Sequence, residues 1–172
     1  MNEGKAPDRE TERKWALARM QALCSRREYC VADIRRKLLR LRDHPLLPEE
    51  AEQIIADLVK EKYLDDARYA GAFARDKAAL TAWGAAKIRY ALRAKGISDE
   101  AIQQALESIE PERSEERLRK LLASRSRALS GDPKAKQKLL RLGLSRGYSY
   151  DEILTQIEAI CQNSELMQPF AE

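Results

Sequence analysis

The sequence predicts an all-α protein built from repeated helical units, and three observations lead to this prediction. The composition favours helices, since alanine, leucine, arginine, lysine and glutamate are abundant and only seven of the 172 residues are glycine. Apolar residues recur at intervals of three and four along most of the chain, as they do on one face of a helix. A 21-residue stretch also occurs twice, which indicates duplicated structural units.

The repeated stretch runs from Lys87 to Glu107 and again, 51 residues later, from Lys138 to Glu158. The two copies share five residues in register. These identical pairs are Lys87 and Lys138, Gly96 and Gly147, Ser98 and Ser149, Ile102 and Ile153, and Glu107 and Glu158. A single glycine-and-serine corner between helices is common, but two corners in register favour an internal repeat.

Each copy has the residues expected of a helix, a tight turn and a second helix. The first helix should end at Gly96 or Gly147, because glycine adopts the left-handed backbone conformation without a Cβ clash. Ser98 and Ser149 are then expected to cap the next helix by accepting a backbone N–H hydrogen bond. Glu152 stands three residues after Ser149 and would complete a capping box.

Four helices are predicted ahead of the first copy. Residues 1–10 are a predicted disordered lead-in, and the first helix should begin near Thr11. The second follows Cys30, a weak N-cap, the third has Pro48 in its first turn, and the fourth is capped by Asp65. The predicted core-facing residues of these helices are Ala16, Met20 and Leu23, then Ile34, Leu38 and Leu41, then Ile54, Ile55, Leu58 and Val59, then Tyr69, Ala70 and Phe73.

Five more helices are predicted after Trp83-Gly84. Pro111 should end the sixth helix, Ser114 should begin the seventh, and Asp132 with Pro133 should begin the eighth. Residues 163–172 are a predicted frayed tail. The core-facing residues of these five helices are Ile88 and Leu92, then Ile102, Ala105, Leu106 and Ile109, then Leu118, Leu121 and Leu122, then Leu139 and Leu142, then Ile153, Ile157 and Ile160.

Charge alternates in blocks along the chain, although the formal net charge is only +4. Residues 9–42 hold eleven basic and four acidic side chains, and residues 117–146 hold ten basic side chains and one acidic one. The helix macrodipole favours acids at helix N-termini and bases at C-termini, but it does not require so large an excess over thirty residues. The pattern favours a surface that binds phosphates or an acidic protein.

Composition and motifs argue against several functional classes. No apolar run approaches the roughly 20 residues of a membrane span, and the chain's start lacks the apolar core of a signal peptide. Three cysteines without metal-ligand spacing indicate free thiols in a reducing cytoplasm. His44, the only histidine, stands beside Pro45, and nothing in the sequence pairs it with a cysteine or a serine. No phosphate-binding P-loop motif occurs. We therefore expect a cytoplasmic protein that is not an enzyme and uses no metal or cofactor.

The segment KYLDDARYAGAFARDK, residues 62–77, resembles the signature of the RecX family of recombination regulators. That signature is an aromatic residue followed by Leu-Asp-Asp-x-Arg-Tyr/Phe-Ala. Its matches in this chain are Tyr63, Leu64, Asp65, Asp66, Arg68, Tyr69, Ala70 and Phe73. The resemblance continues in residues 25–38, 83–98 and 144–153, and so covers about residues 16–160. Two helix ends depart from the family pattern, which usually has glycine where Lys62 stands and serine where Cys30 stands.

The resemblance implies an elongated, curved array of three tandem three-helix repeats, expected here at residues 11–78, 79–130 and 131–162. It also implies a cytoplasmic bacterial protein that binds RecA, often in the groove of the RecA–DNA filament. Such proteins typically inhibit ATP hydrolysis, strand exchange and the coprotease reaction of RecA. We expect this chain to act as a monomer.

Basic side chains in the three repeats are the predicted RecA- or DNA-facing residues. They are Arg35, Arg36, Lys87, Arg89, Arg93, Lys95, Lys138, Arg141 and Arg146. Each one alone is more often an ordinary solvated side chain, whereas together they favour a contact surface. Autonomous, weak and nonspecific DNA binding is the alternative function. Sequence-specific binding is disfavoured because the first turns of the predicted helices are acidic. A passive helical scaffold would require that neither partner binds.

Overall fold

The computed structural model describes residues 8–42 and 45–166, and that part of the chain consists of helices joined by short turns. The helices are α1 (Arg9–Cys24), α2 (Val31–Leu38), α3 (Pro48–Lys60), α4 (Asp66–Thr81), α5 (Ala85–Arg93), α6 (Asp99–Glu107), α7 (Pro111–Arg127), α8 (Ala135–Arg146) and α9 (Tyr150–Leu166).

Three separate hydrophobic cores divide these helices into three units. The first core joins α1, α2 and α3, the second joins α4, α5 and α6, and the third joins α7, α8 and α9. Leu58, Leu92 and Leu122, one from each core, are 0% exposed. The prediction of an all-α fold of three tandem three-helix units is therefore confirmed.

The cores group α4 and α7 differently from the division expected from the sequence, which placed α4 in the first repeat and α7 in the second. In the structure α4 packs on α5 and α6, and α7 packs on α8 and α9. Ala70, Ala74 and Ala78 form a buried stripe along α4 within the second core. Their small side chains allow α6 to approach α4 closely.

Three predicted helix starts are wrong by two or three residues. Helix α1 begins at Arg9 rather than Thr11 and so lies partly within the predicted lead-in. Helix α7 begins at Pro111 itself, because proline has the backbone angle of a first helical residue and needs no N–H partner there. Helix α8 begins at Ala135 rather than Pro133, because the Asp132 side chain accepts the Lys134 N–H at 2.8 Å and closes a turn ahead of the helix.

The predicted turns of the repeated stretch are confirmed. Gly96 and Gly147 have φ values of 76° and 88°, in the left-handed region. The Ser98 hydroxyl accepts the Ala101 N–H at 3.2 Å. Ser149 and Glu152 form the capping box, in which the Ser149 N–H donates to Glu152 at 2.6 Å and the Glu152 N–H donates to the Ser149 hydroxyl at 3.2 Å.

Most residues of the predicted apolar stripes are buried, but Val59 is 47% exposed and is not part of the core. Helix α9 continues to Leu166, four residues into the predicted tail. Residues 1–7 of the lead-in, His44, and residues 167–172 of the tail lie outside the described residues. Among the helices that the structure describes, none combines the length and apolar character of a membrane span.

Candidate functional site

Seven of the nine predicted basic residues bond to groups within the protein. Three of them make ion pairs inside one unit: Arg35 with Glu52, Arg93 with Asp99, and Lys138 with Asp132. Arg36 pairs with Asp33 in α2. The remaining three, Lys87, Lys95 and Arg146, reach from one unit to the next. The structure therefore separates a set that looked uniform in the sequence into pairs within units and links between them.

Asp33 is the centre of the contact between the first and second units, which we call the first junction. Lys95, just beyond the end of α5, donates to both Asp33 carboxylate oxygens at 2.8 and 3.1 Å, across 62 residues of sequence. The two side chains are only 25% and 17% exposed. Burial raises the pKa of the Asp33 carboxyl, but hydrogen bonds from Lys95, Cys30 and Arg36 together hold that pKa below its ordinary value.

The signature aspartates also serve the first junction. Asp65 caps its own helix by accepting the Arg68 N–H at 2.9 Å. Asp66 reaches across to accept the Val31 N–H at 2.9 Å, so it caps α2 of the preceding unit in place of the weak cap Cys30. The Arg68 guanidinium donates to Glu28 at 2.7 Å. These contacts fix the start of α2 to the start of α4.

The apolar residues of the signature lie in or against the cores on either side of this junction. Leu64 is 1% exposed in the first core, and Tyr69 and Ala70 are buried in the second. Phe73 stacks on Tyr69 with ring centroids 5.9 Å apart, and Tyr63 packs against the first core. Within the described structure, the residues of the signature thus make structural contacts.

The second and third units meet through their backbones, at what we call the second junction. The Gly84 N–H donates to the Arg146 carbonyl at 2.8 Å, and the Ala86 N–H donates to the Gly147 carbonyl at 3.2 Å. The Lys87 ammonium donates to the Ser145 carbonyl at 2.8 Å. Backbone donors at the start of α5 are therefore satisfied by carbonyls at the end of α8.

This backbone contact requires glycine on both sides. A Cβ atom on Gly84 would lie 2.5 Å from the Gly147 carbonyl oxygen, and a Cβ on Gly147 would lie 2.5 Å from the Lys87 Cβ. The Arg146 guanidinium completes the junction by donating to the Thr81 carbonyl at 2.6 Å. Sequence analysis identified the turn at Gly147 but did not foresee that it contacts Gly84, because no local pattern encodes a contact across about sixty residues.

The two junctions place the second helices of the three units end to end. The C-terminal end of α8 lies against the N-terminal end of α5 at the second junction. Lys95, which follows the C-terminal end of α5, contacts Asp33 in the first turn of α2 at the first junction. The order α8, α5, α2 thus runs against the order of the chain.

Two of the predicted residues make no direct bond to the part of the chain that the structure describes, and of these Arg141 is exposed and Arg89 is half-buried. Arg141 on α8 is exposed and has no hydrogen bond or ion pair to the side chains and backbone that the structure describes. Arg89 on α5 makes no direct hydrogen bond or ion pair within the same range. The pKa of Asp99 is lowered mainly by the hydrogen bond from Arg93 and by the charge of Arg93, and the positive charge of Arg89 adds to this effect. These two arginines are the members of the predicted set best placed to meet a partner.

A cluster that the sequence analysis did not single out lies at the C-terminal end of α2, and we call it the basic basin. It surrounds an open cavity of about 410 Å³. Its lining residues are Arg27, Tyr29, Asp33, Arg36, Lys37 and Arg40. The only sequence signal for it was the excess of basic residues between positions 9 and 42, which gives no location in space.

The described residues hold no cluster of metal ligands, and two of the three cysteines, Cys24 and Cys30, are disfavoured as reactive thiols. Within residues 8–42 and 45–166, no three histidine, cysteine or acidic side chains converge as metal ligands would. Burial raises the pKa of both the Cys24 and the Cys30 thiols, which disfavours the reactive thiolate.

Comparisons with known proteins agree on one family. The family model described as "RecX, second three-helix domain" matches residues 65–106, which spans α4 to α6. A "Regulatory protein RecX" of Clostridium botulinum (strain Alaska E43 / Type E3) is 36% identical over 155 residues, covering 84% of this chain and 72% of the relative. A protein of the same name from Serratia proteamaculans (strain 568) is 30% identical over 156 residues, covering 80% of this chain and 92% of that one.

Solved structures show the same fold. A "Crystal structure of regulatory protein RecX" aligns with a TM-score of 0.78 at 24% identity, covering 92% of this chain and 81% of that one. The crystal structure of RecX from Lactobacillus salivarius aligns with a TM-score of 0.76 at 21% identity, covering 89% and 99%.

Proposed function

Because the chain belongs to the RecX family of regulatory proteins, we propose that it binds the RecA recombinase on DNA and inhibits its activity. The observation that carries this proposal is the family match. The two relatives described above align with this chain over most of their own length, and both are named as regulatory proteins. Their names indicate no catalytic activity, in agreement with a function based on binding. We further propose that the protein acts as a monomer in the cytoplasm.

The arrangement of the units supports a mechanism in which the array lies along a filament. Both junctions hold their units through several bonds, so three units would present one continuous surface instead of three independent ones. A filament built from several RecA protomers would then be contacted at several points. Linked contacts of this kind give a higher overall affinity than any one of them alone.

Arg89 and Arg141 are proposed as direct contacts to RecA or to its DNA, since both charges are free of internal ion pairs among the described residues. The other seven predicted residues, Arg35, Arg36, Lys87, Arg93, Lys95, Lys138 and Arg146, would support the surface through their internal bonds. A variant with R89E and R141E should lose at least tenfold in RecA-inhibiting potency. The matched control is K60E with R75E, which reverses two exposed cations on α3 and α4, outside the two basic blocks of the sequence.

The test of the proposed function is DNA-dependent ATP hydrolysis by the cognate RecA, with this protein titrated at fixed salt. Inhibition well below one molecule per RecA protomer would indicate capping or disassembly of filaments, whereas inhibition near stoichiometric amounts would indicate coating of the groove. No inhibition, with no binding to the filament, would contradict the proposal. No inhibition with DNA binding retained would favour the alternative, an autonomous nonspecific DNA-binding protein, for which the basic basin is the supporting observation.

A further inference from the structure

We infer that the basic basin at the end of α2 binds the phosphate groups of a nucleic-acid strand without reading its bases. The inference rests on the proposed function for its biological ligand, the DNA of the filament. The basin itself is defined by residues that neither the family signature nor the predicted contact set contains, apart from Arg36.

Charge is the first argument for this ligand. Four cations, from Arg27, Arg36, Lys37 and Arg40, line the cavity together with a single carboxylate, that of Asp33. That carboxylate already bonds to Arg36 and to Lys95, so it does not neutralise the other three cations. A cluster with this excess attracts anions, and the repeated charges of a phosphodiester strand match it better than a single carboxylate does.

The geometry of Tyr29 is the second argument, because it organises the cations and excludes base stacking. The Arg27 guanidinium lies 4.5 Å from the centroid of the Tyr29 ring, and the Lys37 ammonium lies 5.3 Å from it. Cation–π contacts hold these flexible side chains near one another before a ligand arrives. The tyrosine is only 7% exposed, so its ring cannot serve as the stacking platform that base recognition in single strands uses.

The helix macrodipole accounts for only part of this cluster. Basic residues near the C-terminal end of α2 are expected, because that end carries a partial negative charge. Arg27, however, comes from the turn between α1 and α2, and Arg40 lies beyond the last residue of α2. The cations around the cavity of about 410 Å³ therefore come from the turn before α2, from α2 itself and from the turn that follows it.

The test compares a basin variant, K37Q with R40Q, with a control variant, K60Q with R75Q, in the full chain. Each variant removes one lysine and one arginine charge, and the control residues are exposed on α3 and α4, outside the two basic blocks of the sequence. Binding to 30-mer oligo-dT and oligo-dA, without RecA, would be measured by fluorescence anisotropy over a series of salt concentrations. Thermal unfolding followed by circular dichroism shows that each variant is folded, and R40Q alone is the fallback if the double variant is not.

For the basin variant we expect the slope of log affinity against log salt to become shallower by about 1.4 with both oligonucleotides, because two phosphate contacts are lost. This change in slope corresponds to an affinity about 25-fold lower near 0.1 M salt. The control should keep a slope close to that of the wild type. Equal slopes for both variants, or no binding by the wild type at 50 mM salt, would overturn the inference. A loss confined to one homopolymer would also overturn it, because it would reveal base recognition.

A further outcome separates this inference from the proposed function. If the basin variant keeps its oligonucleotide binding but no longer binds RecA in the absence of DNA, the basin holds an acidic protein surface and the phosphate assignment is wrong. If it loses oligonucleotide binding while the wild type fails to inhibit RecA, the basin assignment stands and the proposed function does not.

Discussion

Lys62 has a backbone conformation that favours glycine, and its position is one of two where the chain departs from the family pattern. Its φ is 62°, in the left-handed region that costs a residue with a Cβ roughly 1–2 kcal/mol. The turn must nevertheless form here, because the Tyr63 and Leu64 N–H groups both donate to the Leu58 carbonyl and end α3. The sequence departure thus coincides with a strained backbone.

We expect K62G to stabilise the protein by about 1 kcal/mol, because glycine adopts this conformation without a clash. The lysine side chain is exposed, so little packing is lost. The measurement is the urea concentration at half-unfolding. E61G is the matched control: the neighbouring residue has a φ of −83°, where glycine adds flexibility to the unfolded chain and removes the hydrogen bond that Glu61 accepts from Gln21, so it should destabilise. Equal effects of the two substitutions would contradict the strain argument.

Asp33 links the first two units through a charge, so its protonation state affects stability. Hydrogen bonds hold the pKa of this carboxyl in the folded protein below the ordinary value of 3.8, which the unfolded chain has, so its contribution to stability is fully present at pH values above 3.8. The contribution is then lost as the pH falls through the lower folded-state value. Stability due to Asp33 therefore decreases on acidification and does not change near neutral pH.

We expect D33N to lower the free energy of unfolding by about 1–3 kcal/mol at pH 7, because Lys95 loses its charged acceptor in a half-buried site. The difference from the wild type should shrink as the pH falls below about 4. Denaturant unfolding at several pH values measures both effects. D99N serves as the control, since Asp99 forms an exposed pair with Arg93 and should matter less. A difference that persists unchanged at pH 2.5 would exclude this mechanism.

At the scale of single elements, the sequence predicted most of what is locally encoded. The caps at Ser98 and Ser149 and the turn at Gly147 depend on residues within four positions of one another, and all were predicted correctly. The starts of α7 and α8 were predicted wrongly because each local sequence allows two possible first residues. Pro111 decides the start of α7, and the turn closed by the Asp132 side chain decides the start of α8. Contacts between helices had no local signal.

Gly143 shows such a contact between elements. It is buried in the middle of α8, where a Cβ atom would lie 2.5 Å from Ile153 Cγ1 in α9. Ile153 itself is 0% exposed, as its place in the predicted stripe requires. Helices α8 and α9 pack closely because Gly143 has no side chain and the side chain of Ile153 fills the space above it.

We expect G143A to destabilise the protein by about 1–3 kcal/mol through overpacking, and I153A to cost about 2–5 kcal/mol through the cavity it leaves. The double variant should be more stable than the sum of these losses implies, because the new methyl group occupies part of that cavity. Urea unfolding of the four proteins gives the interaction energy. Strictly additive losses would show that the two residues do not meet.

At the scale of the whole molecule, two junctions join three separately packed cores. The family resemblance predicted the number of units, but the division by sequence placed α4 and α7 differently because the repeated stretch covers only two helices of each unit. The basic surface was predicted from the charges of the sequence alone. In the structure, three of its residues form bonds between neighbouring units. Whether Arg89 and Arg141 contact a partner stays a prediction.

We expect G84A to open the second junction, because its Cβ would lie 2.5 Å from the Gly147 carbonyl oxygen and the two backbone hydrogen bonds cannot form at that distance. Hydrogen exchange at the amide of residue 86 should become about five- to thirteenfold faster, as the loss of roughly 1–1.5 kcal/mol implies. G71A is the control: that Cβ would meet only the flexible Arg75 side chain, at 3.2 Å, and alanine favours the α4 helix. Unchanged exchange in G84A would refute the junction.

The end-to-end placement of α8, α5 and α2 gives the molecule a polarity. All three helix dipoles follow one another with the same sense, from the free N-terminal end of α8 to the C-terminal end of α2, where the basic basin lies. The two ends of the array therefore differ in charge. A protein filament on DNA also has two different ends, so an array of this kind can match it in only one of the two possible orientations.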